Sequence, residues 1–536
     1  YPNTTTTPLW VFKAVPTARI NCTDNGQTIP IPKYWDPGFL AKYENFIRQL
    51  AAHIRSDPEL NNAIEFVHMG VGLYGETQPC DYYSQADHDC LTAAGLTSYL
   101  WAETVNKIID IYVRQFKNNG MPQKLLLPMA PTFLKASERK TFSSYAIQHG
   151  VGLFVAALRA DFDYVDLRRR GVPGEGKFDY FLDQADAMEG RPAPAPTIAY
   201  TPFPAAQEAY GNMTGNPSEL WWGIYAALSR HVDYITVERD LFYQGQARPN
   251  PTPLWEFQPP MRFANQYLGK TVSNSPGVWV VLREADCPDN YNTQIGNYDF
   301  WLRQDGSVAG GATRAVSSRS KAYNYLYCAT TGVLNPNITW NQTQLLGPSG
   351  EQWMESAVCK RTQQPSNTRM YFRVNDAWPH TPQVTVKVRY FDLGSDSWSL
   401  TYDSPSGPKE AGRVSKRNSR TWQWATFTLD DARLGNGLTS GTDLYLDCLN
   451  DGDEYIHMVE VVRDAEPTLA TATPTPTLDP LVTPSPTPTR TATRTPTNPP
   501  TATPTPTSTP TPTPVVPQQT VVVPIAADTW ISSYYP

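Results

Sequence analysis

Residues 63–76 of this chain read AIEFVHMGVGLYGE, an apolar run that passes through His68, breaks into glycines and ends on a carboxylate, Glu76. Carboxylates at strand ends suit one chemistry in particular. Cleavage of a glycosidic bond needs one carboxylic acid to protonate the leaving oxygen. It also needs a second carboxylate to attack the anomeric carbon or activate water. The glycines ahead of Glu76 would admit a sugar ring, with Tyr74 to stack on it and His68 in the same pocket. The second carboxylate is sought at other strand ends. PTIAYTPF leads to AAQEAYG, giving Glu208 with Tyr210 beside it, and DYITVERD gives Glu238 with Asp240 nearby. Glu208 is the first choice and Glu238 the alternative. LRADFDY adds Arg159 and Asp161 as polar substrate contacts, and Trp35 adds an aromatic surface. The plainer role for each carboxylate is an ion pair or a helix cap.

Other chemistries find less support. Gly70, Gly72 and Gly75 match the spacing of a dinucleotide loop, but such a loop must open a helix. Here ETQPCDYYSQADHDC follows, with Pro79 and no helical period. The seven His are scattered, without the spacing of a zinc site, and no GxSxG elbow is present. Asp451 and Asp453 in NDGDEY read as a polar turn before they read as a calcium site. No cofactor and no metal are called for.

Two regimes of periodicity position these residues. Up to about residue 265, short apolar runs alternate with longer amphipathic ones. LWVFKAV (Leu9–Val15), the run before Gly70, Lys124–Ala130, Gly150–Leu158, PTIAYTPF and Asp233–Val237 read as six strands. Phe39–Ile54, which follows Asp36-Pro37, reads as a helix, as do LTSYLWAETVNKIIDIYVRQF and ELWWGIYAALSR. Strand-then-helix repetition predicts a parallel α/β domain. The expected fold is a (β/α)8 TIM-type barrel over residues 1–270 that lacks its first units, with an exposed apolar strand edge at Leu9–Val15. On that count the run before Glu76 is the fourth barrel strand, and chemistry sits at the C-terminal ends of such strands.

Residues 271–463 change to short alternating runs split by Gly, Asn, Asp, Pro and Ser, such as Val384, Val386, Val388 and Tyr390. These predict an antiparallel β-sandwich packed directly on the barrel. Trp398, Trp422 and Trp424 are candidates for a sugar-stacking platform, with core packing the plainer role for each. Residues 464–518 are Thr/Pro-rich with almost no apolar residue, the composition of a disordered or extended linker. Residues 519–536 read as the start of a further β domain.

Of 536 residues, 50 are Pro, 15 Trp and 29 Tyr, while charged residues are only 18%. Plentiful flat aromatics and little charge suit sugars as partners. A net charge of −7 argues against nucleic acid, and no apolar run is long enough for a membrane span. The seven Cys form no CxxC pair, and Cys80 and Cys90, flanking one loop, are a candidate disulfide.

The run YWDPGFLAKYENFIRQLAAHI…NAIEFVHMGVGLYGE resembles secreted bacterial TIM-barrel glycoside hydrolases, of the β-galactosidase-like kind whose fourth strand ends in Gly-x-x-Gly-Glu. The resemblance covers residues 9–265. It implies that Glu76 is the acid/base and Glu208 the nucleophile, although Gly75 stands where such enzymes carry Asn. Residues 370–463 resemble β-sandwich modules appended to bacterial carbohydrate-active enzymes. The resulting expectation is a secreted or cell-surface glycoside hydrolase acting on poly- or oligosaccharides. The alternative is a non-catalytic carbohydrate-binding protein on a barrel scaffold.

Overall fold

The computed structural model describes residues 7–24, 27–80, 84–128, 133–135, 137–155, 198–200, 217–229, 231–236, 258–282, 297–311, 314–317, 358–362 and 364–463. The Thr/Pro-rich stretch 464–518 and residues 519–536 lie outside them.

The first region holds α1 (Leu9–Ala14), β1 (Arg19–Asp24), β2 (Gln27–Pro32), α2 (Pro37–Ser56), α3 (Pro58–Ala63), β3 (Phe66–His68), α4 (Gln85–Ala93) and α5 (Ser98–Gln115). It continues through β4 (Lys124–Pro128), α6 (Ser137–Gln148), β5 (Gly152–Val155), β6 (Ile198–Tyr200), α7 (Pro217–Leu228), β7 (Tyr234–Thr236) and α8 (Gln258–Tyr267). Helix α2 starts where Asp36 accepts the amides of Gly38 (2.8 Å) and Phe39 (3.1 Å), with Pro37 in the first turn. Its buried face is Phe39, Ile47, Ala51 and Ile54.

Strands β3 to β7 pair in parallel and in sequence order. Four strand spacings of ~4.8 Å would put β3 and β7 roughly 19 Å apart in a flat sheet. Instead the rings of Phe66 and Tyr234 approach to 6.1 Å. Lys124 Nζ also reaches both Glu65 and the Tyr234 hydroxyl. The sheet therefore curls into a trough. Phe66, His68, Leu126 and Phe154 share its concave side, while Leu125, Leu127 and Leu153 are buried on the helix side.

Two expectations are corrected here. Leu9–Val15 is not a strand, since Leu9–Ala14 is a helix that buries Val11 and Phe12. No strand edge lies there, because the segment is helical; a seven-residue apolar run carries too little periodicity to separate helix from strand. The disulfide joins Cys22 on β1 to Cys90 on α4, 68 residues apart, and Cys80 is buried outside it.

The second region begins with β8 (Gly277–Val281), β9 (Tyr298–Phe300), β10 (Leu302–Gln304), β11 (Arg314–Ser317), β12 (Val358–Arg361) and β13 (Arg369–Val374). It continues with β14 (Val384–Phe391), β15 (Ser397–Ser404), β16 (Gly407–Ser415), β17 (Trp422–Leu429), β18 (Leu444–Asp447) and β19 (Tyr455–Arg463). These form two antiparallel sheets. One is ordered β10-β13-β18-β15-β16. The other runs β11-β12-β19-β14-β17, with β8 on β19 and β9 on β8. Val384, Val386, Val388 and Tyr390 face inward, where Tyr390 and Phe427 meet Trp398 edge-on at 5.3 and 5.8 Å. On the other side of the second sheet, Trp279 stacks on Phe300 at 5.2 Å and meets Tyr225 of α7 and Phe263 of α8. One apolar cluster thus joins these helices to the sandwich.

Candidate functional site

The loop after β3 carries Glu76, and side chains from two helices hold it in place. Tyr43 of α2 donates its hydroxyl proton to the Gly70 carbonyl. The Gly70 amide donates to the Tyr112 hydroxyl on α5 at 3.0 Å, and the two hydroxyls lie 2.9 Å apart. With Tyr112 donating to Tyr43, three hydrogen bonds close a ring through the amide and carbonyl of one residue, Gly70. Burial, the largest cause for both hydroxyls, pushes their pKa values up, so both stay protonated.

Beyond Gly70 the chain folds back on itself. The Gly72 amide donates to the Glu76 carbonyl at 2.7 Å, and the Leu73 amide to the Gln78 carbonyl at 2.8 Å. A Cβ on Gly72 would sit 2.1 Å from the Gln78 carbonyl oxygen, and Gly75 has φ +77°. The glycine pattern serves this fold-back and, among the described residues, opens no helix of the kind a dinucleotide loop needs. Trp101 Nε1 then donates to the Thr77 carbonyl at 2.9 Å. Residues 77–80 are buried and Glu76 is half-buried at the edge of that stretch. Gln78 Nε2 donates to Glu76 Oε2 at 3.2 Å.

His68 lies at the C-terminal end of β3 on the concave wall. Its ring centre is 4.4 Å from that of Phe154 and 5.5 Å from that of Phe66. Solvent reaches the ring, yet the surrounding wall strips enough water to push its pKa down to about 4. A neutral imidazole that can accept or donate a hydrogen bond follows at neutral pH.

The structure thus brings His68 together with Phe66 and Phe154, and fixes Glu76 on the loop that follows. Trp35 is half-buried and packs against the core between the helices and the sheet. For Tyr74 only the backbone is described, in the turn Leu73–Gly75. Glu208, Glu238, Arg159, Asp161 and Tyr210 lie outside the described residues. Among the described residues, no group of three His, Cys, Asp or Glu is placed to hold a metal ion, and no helix is long and apolar enough to cross a membrane.

In the sandwich the three tryptophans part company. Trp398 and Trp422 are buried, 0% and 1% exposed, and cannot stack on a ligand. Inner-face alternation places Trp398 in the core, and Trp422 packs on Phe391 and His457. Trp424 is 44% exposed. Asp453 accepts from Thr362 and Gln364, and Asp451 from the Ser397 amide, so both fasten loops. Sequence reasoning missed the Tyr43–Tyr112 ring, a groove beside Trp424, and a buried cluster in which Lys416 meets Asp396 (2.8 Å) and Glu454 (3.0 Å). For the groove, the basic run Lys416-Arg417-Asn418-Ser419-Arg420 just ahead of Trp422 was the available signal.

No family model and no curated protein matches the chain. Among solved structures it is similar to an isomalto-dextranase of Arthrobacter globiformis T6, at 10% identity and TM-score 0.28, covering 84% of this chain and 76% of that one. It is also similar to a monomeric β-xylosidase from Caulobacter crescentus CB15, at 11% identity and TM-score 0.22, covering 84% and 78%. A carbohydrate-binding module from Cellvibrio mixtus lichenase 5A aligns at 13% identity and TM-score 0.12, over 21% of this chain and 76% of that one. Superpositions this loose transfer no residue role.

Proposed function

We propose that the chain is a secreted carbohydrate-active enzyme, a glycoside hydrolase in which Glu76 is the general acid and the β-sandwich is an accessory sugar-binding unit. The observation that carries this reading is the placement of Glu76. It is a half-buried carboxyl on a braced loop that follows the C-terminal end of β3, in a parallel sheet whose concave side presents His68 and Phe66 from β3 and Phe154 from β5. Apolar rings with a few polar groups at a strand's C-terminal end are what a sugar site on an α/β scaffold needs. In this reading the curled sheet belongs to a (β/α)8 barrel. Glu208, or else Glu238, supplies the second carboxylate. Neutral His68 hydrogen-bonds a sugar hydroxyl. The Cys22–Cys90 disulfide and the Thr/Pro-rich composition of 464–518 support an extracellular setting.

The test is Glu76→Gln in the full chain, assayed for release of reducing ends from a panel of poly- and oligosaccharides. Loss of proton donation should lower turnover by ~10²–10⁴-fold. Aryl glycosides with good leaving groups, which need less acid assistance, should be affected less. Equal rates on a natural glycan would make Glu76 an ordinary loop glutamate. The exposed Trp424 favours a second reading, a carbohydrate-binding protein without catalysis. Binding without hydrolysis across the panel would select it.

A further inference from the structure

Strands β16 and β17 are the free edges of the two sandwich sheets. Between them lies a groove of about 600 Å³. Tyr390 and Phe427 line its inner wall, and Trp424 stands at its rim. Trp424 projects from β17 directly opposite Arg389 on β14, whose guanidinium lies 5.3 Å from the ring centre. That buried arginine backs the indole and fixes its plane, leaving an exposed aromatic surface already oriented.

The exposed charge around this surface is mostly positive. Asp392, the acidic residue among the lining, accepts the amides of Arg417 (2.8 Å) and Ser419 (2.9 Å), so its two oxygens are engaged by the chain itself. Arg413 and Arg417 line the groove, and Arg420 follows on the same loop; all three are exposed. Arg413 is paired with Glu410 at 2.8 Å, but such an exposed pair is weak and exchanges readily for a better-placed anion. This positive cluster sits on a chain whose net charge is −7, so it runs against the overall sign.

We propose that the groove binds a uronate-bearing glycan, with one sugar ring on Trp424 and its carboxylate on Arg417. This deepens the carbohydrate-active reading above and rests on it. The planar guanidinium fork matches a carboxylate, and the indole matches the apolar face of a pyranose. Neutral glycans would gain the ring contact alone.

The experiment is affinity electrophoresis of the full chain through gels containing polygalacturonate, alginate, or a neutral galactomannan or β-glucan. Retardation is expected in the polyuronates, falling as salt is raised because exposed charges are screened beyond ~10 Å at 0.1 M. Arg417→Gln and Trp424→Ala should each weaken polyuronate binding by about tenfold. Both side chains are exposed, and unchanged circular dichroism would confirm that the variants fold. Equal retention by neutral gels with no effect of Arg417→Gln would overturn the uronate preference while leaving the carbohydrate reading intact. No retention by any gel while hydrolysis persists would overturn the groove alone. Neither binding nor hydrolysis would overturn both.

Discussion

The parallel sheet and the sandwich solve different problems with different amounts of backbone pairing. Strands β3 to β7 are three to five residues long, whereas β14 to β17 and β19 run eight or nine. A three-residue strand fixes little beyond its own ends, so the loops after the parallel strands depend on side chains from the helices. Tyr43, Tyr112 and Trp101 brace the Glu76 loop, and Lys117 holds the His149 and Gly150 carbonyls ahead of β5. The sandwich is held by long ladders, and its buried carboxylates tie loops directly. Asp403 accepts Arg433 and the amides of Gly435 and Gly437, and Asp443 those of Val374 and Asn436. One region thus places the candidate carboxylate on a braced loop, and the other offers stiff edges and faces.

The two are nevertheless mechanically joined, and the largest expected effect tests that joint. Trp279 is fully buried between Phe300, Tyr225, Phe263 and Tyr267. Trp279→Ala should cost about 3–5 kcal/mol, as large-to-small changes of buried aromatics do. If the joint couples the regions, urea unfolding of the parent follows one transition for both. In the variant, β-sheet and helical signals should shift together. A loss confined to the sandwich signal would break the comparison into two independent stabilities.

A smaller effect, of a few kcal/mol, should come from the buried cluster of Lys416, Asp396 and Glu454, which Tyr390 also faces. Burial pushes Glu454 up to about 8, against the pull of Lys416 and with Asp396 reinforcing the rise. A folded-state pKa above the unfolded value of 4.5 means that the contribution is fully present below about pH 4.5. It is then lost as pH rises through 8. Relative to Glu454→Gln, the parent's urea midpoints should therefore shift in favour of pH 5 over pH 8, since His68 and His231, each pushed down to about 4 by burial, act alike in both proteins. The same pH dependence in parent and variant would show that Lys416 keeps Glu454 ionised.

The same contrast explains what the sequence made legible. The alternation of Val384, Val386, Val388 and Tyr390 is long enough to identify an inward face, and β14 follows it. Strand β16, GPKEAGRVS, is a polar edge with no buried side and left no such trace. The pairing of β1 with β2 has a local signal, Asn25-Gly26 between Asp24 and Gln27. Leu9–Ala14 was too short to separate helix from strand. The Cys22–Cys90 pairing spans 68 residues and has no local signal. At the candidate site, the glycine run pointed to Glu76. The hydroxyls that brace the loop lie 27 and 42 residues from Gly70 and become neighbours only when α2 and α5 pack.

The smallest stability effect carries the sharpest test of that bracing. Tyr43→Phe removes one oxygen from the ring of hydrogen bonds. The Gly70 carbonyl loses its donor, and the Tyr112 hydroxyl loses its neighbour at 2.9 Å. The phenyl ring, stacked 6.3 Å from Phe39, has no reason to move. The expected cost is about 1–2 kcal/mol, the scale of one hydrogen bond with a partner left partly unsatisfied. Activity should fall further than stability predicts, because displacing a reacting group by ~1 Å can cost ~10²-fold. If Glu76 acts on the sugar, the loss should fall on kcat more than on KM. The limb of the pH profile that reports Glu76 should shift, whereas a purely structural change would leave it in place. A variant that loses its hydrogen bond and some stability, yet keeps the parent's kcat and pH profile, would reduce the Tyr43–Tyr112 ring to a packing feature. It would also remove the contrast between a braced loop and a stiff edge.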